Sequence, residues 1–218
     1  MPNKLHKKGS RSDRWYLNLM APNTKGVNFA WLDPTPIYLN GPAFNDLLDD
    51  LIEDLSDFNI QLVAGIDAMG FVLGAGVASR LRVGVLPIRK AGKLCVETDA
   101  VGYTNYSGLQ QKLEVRLPAF KKGTRVLLVD QWVETGGTME AAIKLIERQG
   151  GTIAGLCAIA IEENEKTKKL CVAYPNATAV VQGSSWYKQC NDQKLKSFEN
   201  YYPEIAFEKN IVSRKDNI

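Results

Sequence analysis

A chain of 218 residues is long enough to bury a sizeable core in one domain of ordinary size. Its 27 basic and 24 acidic residues leave a formal charge of +3, without the basic excess that marks a nucleic-acid binder. Cys95, Cys157, Cys171 and Cys190 are widely spaced with no CxxC pair, and His6 is the single histidine. That pattern argues against a metal cluster or disulfide framework and for a reducing, cytoplasmic setting.

The basic N-terminus MPNKLHKKGSRSDRW lacks the apolar run of a signal peptide and reads as a mobile arm, with His6 a bystander in it. Ordered structure is expected from Trp15, Tyr16, Leu17 and Leu19. Between Gly41 and Asn59, Phe44, Leu47, Leu48, Leu51, Ile52 and Leu55 recur at helical spacing, with Asn40 placed to cap the helix. Leu62–Ile66 reads as a buried strand ending at Asp67, and Gly70–Arg80 as a glycine-rich helix. The apolar stretch Ala68–Ala78 is too short to cross a bilayer. Val83–Ile88 is a second strand.

Residues 91–111 turn to Gly, Lys, Thr, Asn, Tyr and Ser, a composition that predicts a long exposed lid loop. Leu113–Arg116 alternates like a strand edge. Val126–Val129 reads as a buried strand, and Met139, Ala142, Ile143 and Ile146 mark one face of a helix that Gly150–Gly151 ends. Strands are expected at Ile153–Ile161 and Thr178–Val181. Strands alternating with helices predict an α/β fold, a parallel sheet flanked by helices.

Ligands of such sheets bind beyond the carboxyl ends of the strands. There stands VLLVDQWVETGGT, residues 126–138: strand, Gly-rich turn, helix start. Gly136 and Gly137 let backbone N–H groups converge, and the Thr135 and Thr138 hydroxyls can donate to a phosphate at a helix N-terminus. It is not a Walker loop, because no GKS/T follows. Spacing alone leaves two readings, a phosphate cradle or an ordinary strand–turn–helix connection capped by Thr138.

With the helix that follows it (VLLVDQWVETGGTMEAAIKLI), this stretch resembles the phosphoribosyl-pyrophosphate signature of type I phosphoribosyltransferases. VAGIDAMGF (63–71) resembles the pyrophosphate loop of the adenine phosphoribosyltransferases, and PIRKAGKL (87–94) their basic segment. Gly26–Phe29 and Asp33–Pro36 resemble their base-binding hood. The resemblance runs from Gly26 to Leu170. It implies a Rossmann-like phosphoribosyltransferase core over 41–185, an N-terminal arm and hood over 1–40, and a C-terminal extension over 186–218.

The implied reaction is displacement of pyrophosphate from phosphoribosyl pyrophosphate by a purine base, giving a nucleoside monophosphate for purine salvage. Adenine is the implied base. By resemblance, Thr135, Gly136, Gly137 and Thr138 hold the 5-phosphate, and Asp130 accepts from ribose hydroxyls. Asp67, Ala68 and Met69 meet pyrophosphate through the backbone, helped by Arg89 and Lys93. Phe29 and Tyr103 belong to the base side. Mg²⁺ is expected to arrive on the substrate rather than on a protein cluster. The partners expected are the two substrates and a second copy of the chain, with neither nucleic acid nor membrane.

The chain departs from the adenine pattern in informative places. Met69 stands for an arginine, the lid 101–108 has tyrosines without a glutamate, and Ala30 or Trp31 stands for a hood arginine. Gln131 replaces a second acid: either an uncharged acceptor for ribose or a solvent-facing amide. Glu134 occupies the place of an aspartate that 6-oxopurine enzymes use beside the base. It is either a group that binds the base or relays its proton, or a surface carboxylate paired with a lysine. Trp132 either stacks on the base or packs the strand end. Lys166–Lys169 is a solvated helix face. The departures keep a second hypothesis open: a catalytically weakened module that senses phosphoribosyl pyrophosphate or a nucleotide.

Overall fold

The computed structural model describes residues 15–25, 32–105, 107–180, 189–190, 192, 194–199 and 201–207. These fall into two compact units, one drawn from 1–50 together with 179–218, the other from 51–178. The hood and C-terminal segments expected from the sequence thus share one unit.

In that first unit, β1 (Ala21–Pro22) pairs antiparallel with β2 (Leu32–Asp33), followed by α1 (Thr35–Leu39) and the start of α2 (Gly41–Leu55). Asn40 caps α2, its Oδ1 accepting the Ala43 N–H at 2.9 Å. Leu47, Leu48, Leu51 and Leu55 are buried on one face, as their spacing requires. Tyr16 is fully buried and donates its hydroxyl to Asp50. The turn Pro203–Phe207 packs on α1.

The second unit continues with β3 (Leu62–Ile66), α3 (Met69–Leu81), β4 (Gly84–Lys90), β5 (Thr98–Thr104), β6 (Gln110–Arg116), β7 (Arg125–Val129), β8 (Trp132–Val133), α4 (Gly137–Arg148), β9 (Thr152–Ala158), β10 (Ala160–Ile161), α5 (Glu165–Ala173) and β11 (Asn176–Thr178). Seven strands form one sheet in the order β11-β9-β7-β3-β4-β6-β5. The first five are parallel, and β6 and β5 are added antiparallel. Alternation places Ala64, Ile66, Val126 and Leu128 in the core with Met139, Ala142, Ile143 and Ile146 of α4. Val63 and Val129 face α3 across Gly74. Both faces are covered, so these strands read as continuous apolar runs.

Three expectations need correction. Residues 98–116 are not a structureless lid but the hairpin β5–β6, with register Thr98↔Arg116 to Thr104↔Gln110. Polar residues dominate there because β5 is an edge strand with one face in solvent, a pattern that composition cannot tell from a loop. Leu113–Arg116 is no edge: β6 lies between β4 and β5, and Glu114 is buried. The last strand among the described residues lies at Asn176–Thr178, ahead of the expected Thr178–Val181, whose final residue lies outside them. Further, Ile159 interrupts the run 153–161, so that Ala160–Ile161 leave the main sheet and pair parallel with β8. The helix end is as expected: Gly150 takes φ +80°, and the Gly151 N–H reaches the Ile146 carbonyl at 3.0 Å.

Candidate active site

The chain leaves β3 toward β4 on one side and leaves β7 toward β9 on the other. The adjacent carboxyl ends of β3 and β7 are therefore the switch point, where open sheets hold ligands. Each strand ends in an aspartate. The Asp67 N–H bonds the Ile88 carbonyl of β4, and the Asp130 N–H bonds the Cys157 carbonyl of β9, both at 3.0 Å. The two chain ends turn to opposite neighbours, which opens a crevice between them.

Glycine sets the closeness of this junction. A Cβ on Gly65 would lie 2.5 Å from the Gly70 carbonyl oxygen, and one on Gly70 would lie 2.6 Å from that of Val129. The turn Asp67–Gly70, whose Asp67–Ala68 peptide is cis, is thereby pressed against the end of β7. Ala68 is exposed and Met69 half-buried at the start of α3.

The turn Thr135–Thr138 opens α4. Gly136 adopts φ +81°, a left-handed conformation that suits glycine. A Cβ on Gly137 would lie 2.6 Å from the Thr104 carbonyl of β5. The first N–H groups of α4 point to the crevice end of the helix with its positive dipole, a ready site for phosphate. Tyr103 of the edge strand lies beside Thr138 at this turn. Burial raises the Tyr103 pKa, the negative fields of Asp130 and Asp67 add to this, and Thr138 opposes it. Burial pushes Asp130 up to about 7, against the Gln131 N–H bond to its Oδ1 at 2.7 Å. Gln131 itself is half-buried, its carbonyl accepting the Ile159 N–H at 3.1 Å.

Beyond Gln131 lies the β8–β10 ribbon. The Trp132 indole Nε1–H donates to Glu162 Oε1 at 2.6 Å. This meets neither sequence reading in full: the indole is partly packed and anchored by its nitrogen. Glu162 is buried and its pKa is pushed up to about 7, chiefly by burial and further by the charge of Glu134, while the indole bond lowers it. Burial also raises Glu134. Asn164 caps α5 by accepting the Lys166 and Thr167 N–H groups, and its Nδ2 donates to the Glu134 carbonyl at 2.7 Å.

The basic segment is held from within. Arg89 Nε lies 3.8 Å from Asp67 Oδ2, and Arg89 Nη1 donates to the Lys93 carbonyl at 3.2 Å. The Lys93 side chain is exposed, while its N–H and that of Leu94 donate to Glu114 Oε1 at 2.7 and 2.8 Å. Burial raises Glu114, but the Gly92, Lys93 and Leu94 N–H groups and Thr98 outweigh it and hold its pKa low. Lys166 pairs with Glu140 at 3.1 Å and Lys168 with Glu163 at 2.7 Å, the solvated face expected of that run.

The structure therefore gathers Asp67, Met69, Arg89, Asp130, Tyr103 and Thr135–Thr138 around one crevice, and brings Trp132 and Glu134 to its flank. Phe29, the hood residues 26–31 and Tyr106 lie outside the described residues, as does His6. Sequence reasoning passed over Glu162 and misjudged Glu114. Glu162 had a signal: it follows a predicted parallel strand, at the end where ligands bind. Glu114 had none, because its partners are backbone groups some 20 residues away in the chain. Among the described residues, no three His, Cys, Asp or Glu side chains gather as a metal-holding group.

The family model described as phosphoribosyl transferase domain matches residues 36–197, running past the Leu170 where the motif resemblance stops. An adenine phosphoribosyltransferase of Neisseria meningitidis is 44% identical over 135 residues, 62% of this chain and 70% of its own. The crystal structure of adenine phosphoribosyltransferase from Thermoanaerobacter pseudethanolicus superposes with a TM-score of 0.70 at 30% identity, covering 78% of this chain and 99% of that one. The Saccharomyces cerevisiae enzyme, complexed with an imino-altritol bisphosphate and adenine, gives 0.66 at 26% identity, covering 78% and 100%.

Proposed function

This chain belongs to the phosphoribosyltransferase family, and we propose that it acts as the adenine-type purine members do. A purine base and phosphoribosyl pyrophosphate give a nucleoside monophosphate and pyrophosphate, a purine-salvage reaction. The carrying observation is the pair of turns Asp67–Gly70 and Thr135–Thr138 at one switch point, packed so closely that a Cβ on Gly65, Gly70 or Gly137 would lie 2.5–2.6 Å from a backbone oxygen.

A ring nitrogen of the base attacks the ribose C1 while the C1–O bond to pyrophosphate breaks, the bonding pair leaving with pyrophosphate. Positive charge gathers on the ribose in between. Asp130 takes the ribose hydroxyls and favours that charge; Gln131 supplies a neutral acceptor beside it. Thr135, Gly136, Gly137 and Thr138 hold the 5-phosphate. The Asp67–Ala68–Met69 backbone holds pyrophosphate, with Arg89 and Lys93 as countercharges. Trp132 and Tyr103 lie on the base side, and Glu134 accepts a base N–H. The oxygen donors of this crevice, Asp130 and Gln131 among them, would suit Mg²⁺ carried on substrate oxygens, which would supply countercharge for pyrophosphate.

A homodimer is implied by the family resemblance, with the exposed Val72 of α3 (45%) and Val85 of β4 (47%) as apolar side chains open to a partner. A cytoplasmic setting is supported by the thiols Cys95, Cys157 and Cys171. No helix among the described residues is long and apolar enough to cross a membrane. The mild charge speaks against nucleic acid as a partner.

Pyrophosphate release from phosphoribosyl pyrophosphate and Mg²⁺, measured over a panel of purines and pyrimidines, tests the proposal. Turnover with adenine is expected. Binding of phosphoribosyl pyrophosphate without turnover on any base would overturn the assignment in favour of a sensing module. Glu134→Ala should lower turnover or change base preference while substrate affinity survives; unchanged kinetics would return Glu134 to the surface-carboxylate role.

A further inference from the structure

The ribbon behind the phosphate turn holds a buried acid that the reaction as drawn above does not use. β8 and β10 pair in parallel with Trp132 opposite Ala160 and Val133 opposite Ile161, and the Glu162 N–H continues the ladder to the Val133 carbonyl at 2.8 Å. The next register positions are Glu134 and Glu162. Neighbouring strands lie about 4.8 Å apart, and residues in register project to the same side. Trp132 and Glu134, two apart on one strand, share that side as well. Two carboxylates and an indole therefore crowd one face of a two-stranded ribbon, with the indole Nε1–H on Glu162 at 2.6 Å. Thr167 fixes the Glu162 carbonyl, and Asn164 fixes that of Glu134 at 2.7 Å, so neither backbone can swing away.

We propose that Glu162 is a positioning residue that stays protonated beside Glu134: Glu162 keeps the proton and holds Trp132 in place, and Glu134 carries the single negative charge toward the base. The inference rests on the reading of Glu134 given under Proposed function. A negative charge on Glu134 raises the cost of ionising Glu162, whose side chain is buried. Around the pair, Glu163 is matched by Lys168 and Lys166 by Glu140, so Glu134 is the charge that acts on Glu162. Burial and that charge both push Glu162 up, to about 7, which agrees with the geometric argument. The proton count closes: the pair enters with one proton, accepts one from the base ring N–H, and returns one to water on product release. The device also limits negative charge beside the 5-phosphate turn, where a second carboxylate anion would repel the substrate.

The Trp132 indole reports on this directly. In ¹H–¹⁵N spectra of the full unliganded chain, its resonance is identified by its loss in Trp132→Phe. It should titrate with a midpoint near 7. Glu134→Gln should move that midpoint to lower pH, because a repelling charge is gone, and Glu162→Gln should abolish the titration. In steady-state assays, KM for phosphoribosyl pyrophosphate should rise through that pH range more in the wild type than in Glu162→Gln, with kcat following it less. An indole that does not titrate between pH 5 and 9, or a midpoint that Glu134→Gln leaves in place, overturns the proposal. The wild-type and Glu134→Gln arms do not depend on the folding of Glu162→Gln. If the indole behaves as expected but Glu134→Gln keeps wild-type turnover and base preference, the pair stands and the base-facing role of Glu134 falls.

Discussion

At the junction of β3, α3 and β7 only hydrogen fits as a side chain, whereas on the β8–β10 ribbon two carboxylates and an indole fill the space. The first region is built from backbone: Gly65 and Gly70 let three chain segments meet. The second is built from side chains: Glu134 and Glu162 follow the paired residues of β8 and β10, and Glu162 holds the Trp132 indole. Backbone contacts tolerate no added atom but are indifferent to pH. Paired carboxylates tolerate isosteric replacement but respond to every proton. The two regions should therefore fail in different ways.

The largest effect is expected at the glycine junction. Gly70→Ala gains about 1 kcal/mol of helix propensity but drives a Cβ to 2.6 Å from a backbone oxygen. Overpacking of that kind costs about 1–3 kcal/mol or more, and here the obstacle is backbone, which cannot rotate aside. A net loss of about 2 kcal/mol or more in urea unfolding, with loss of turnover, is expected. A variant as stable and active as the wild type would break the contrast. Next comes Asp130→Asn, which keeps the shape and removes the charge. kcat/KM should fall by about 10²-fold, the scale of a lost transition-state electrostatic contact, with stability preserved or raised.

On the ribbon, Glu162→Gln should act through pH. Glu162 has a folded pKa of about 7 against 4.5 for an ordinary glutamate, so the folded state binds the proton more tightly than the unfolded chain. Stability from this group is full below pH 4.5 and falls as pH rises toward 7. The variant should thus gain on the wild type, on the order of 1–2 kcal/mol at pH 8 after allowance for solvent screening, and gain little at pH 5. Thermal midpoints at the two pH values test it; an equal difference at both would remove the titration argument. The smallest effect is expected at Arg148, which meets Asp99 at 2.9 Å on the flank of β5 with 57% of its side chain exposed. Arg148→Ala should cost less than about 1 kcal/mol and leave KM unchanged, showing that the hairpin is placed by packing rather than by this ion pair.

Much of the phosphate side could be read from single stretches. VAGIDAMGF and DQWVETGGT each carry strand, turn and helix start within a dozen residues, so periodicity and glycine placement give the local backbone, and the family resemblance gives the ligand. The hairpin 98–116 was hidden because an edge strand with one wet face has the composition of a loop. Glu114 stands in an alternating stretch with no sign of its own, yet it is buried and accepts the Lys93 and Leu94 N–H groups. Glu162 sat at the end of a predicted strand without notice, because its meaning depends on a partner strand.

Alternation along single strands made the sheet core legible, and glycine placement made the two turns legible, while the family was legible through motif resemblance. Which acids are buried, and what they meet, came from the packing of the fold. Ile159 breaks a strand, β10 leaves the main sheet for β8, and that register brings Glu162 beside Glu134 and under the Trp132 indole. Strand partners and their register are set by packing across the whole sheet, and burial, which decides where the proton resides, exists only once that packing is complete.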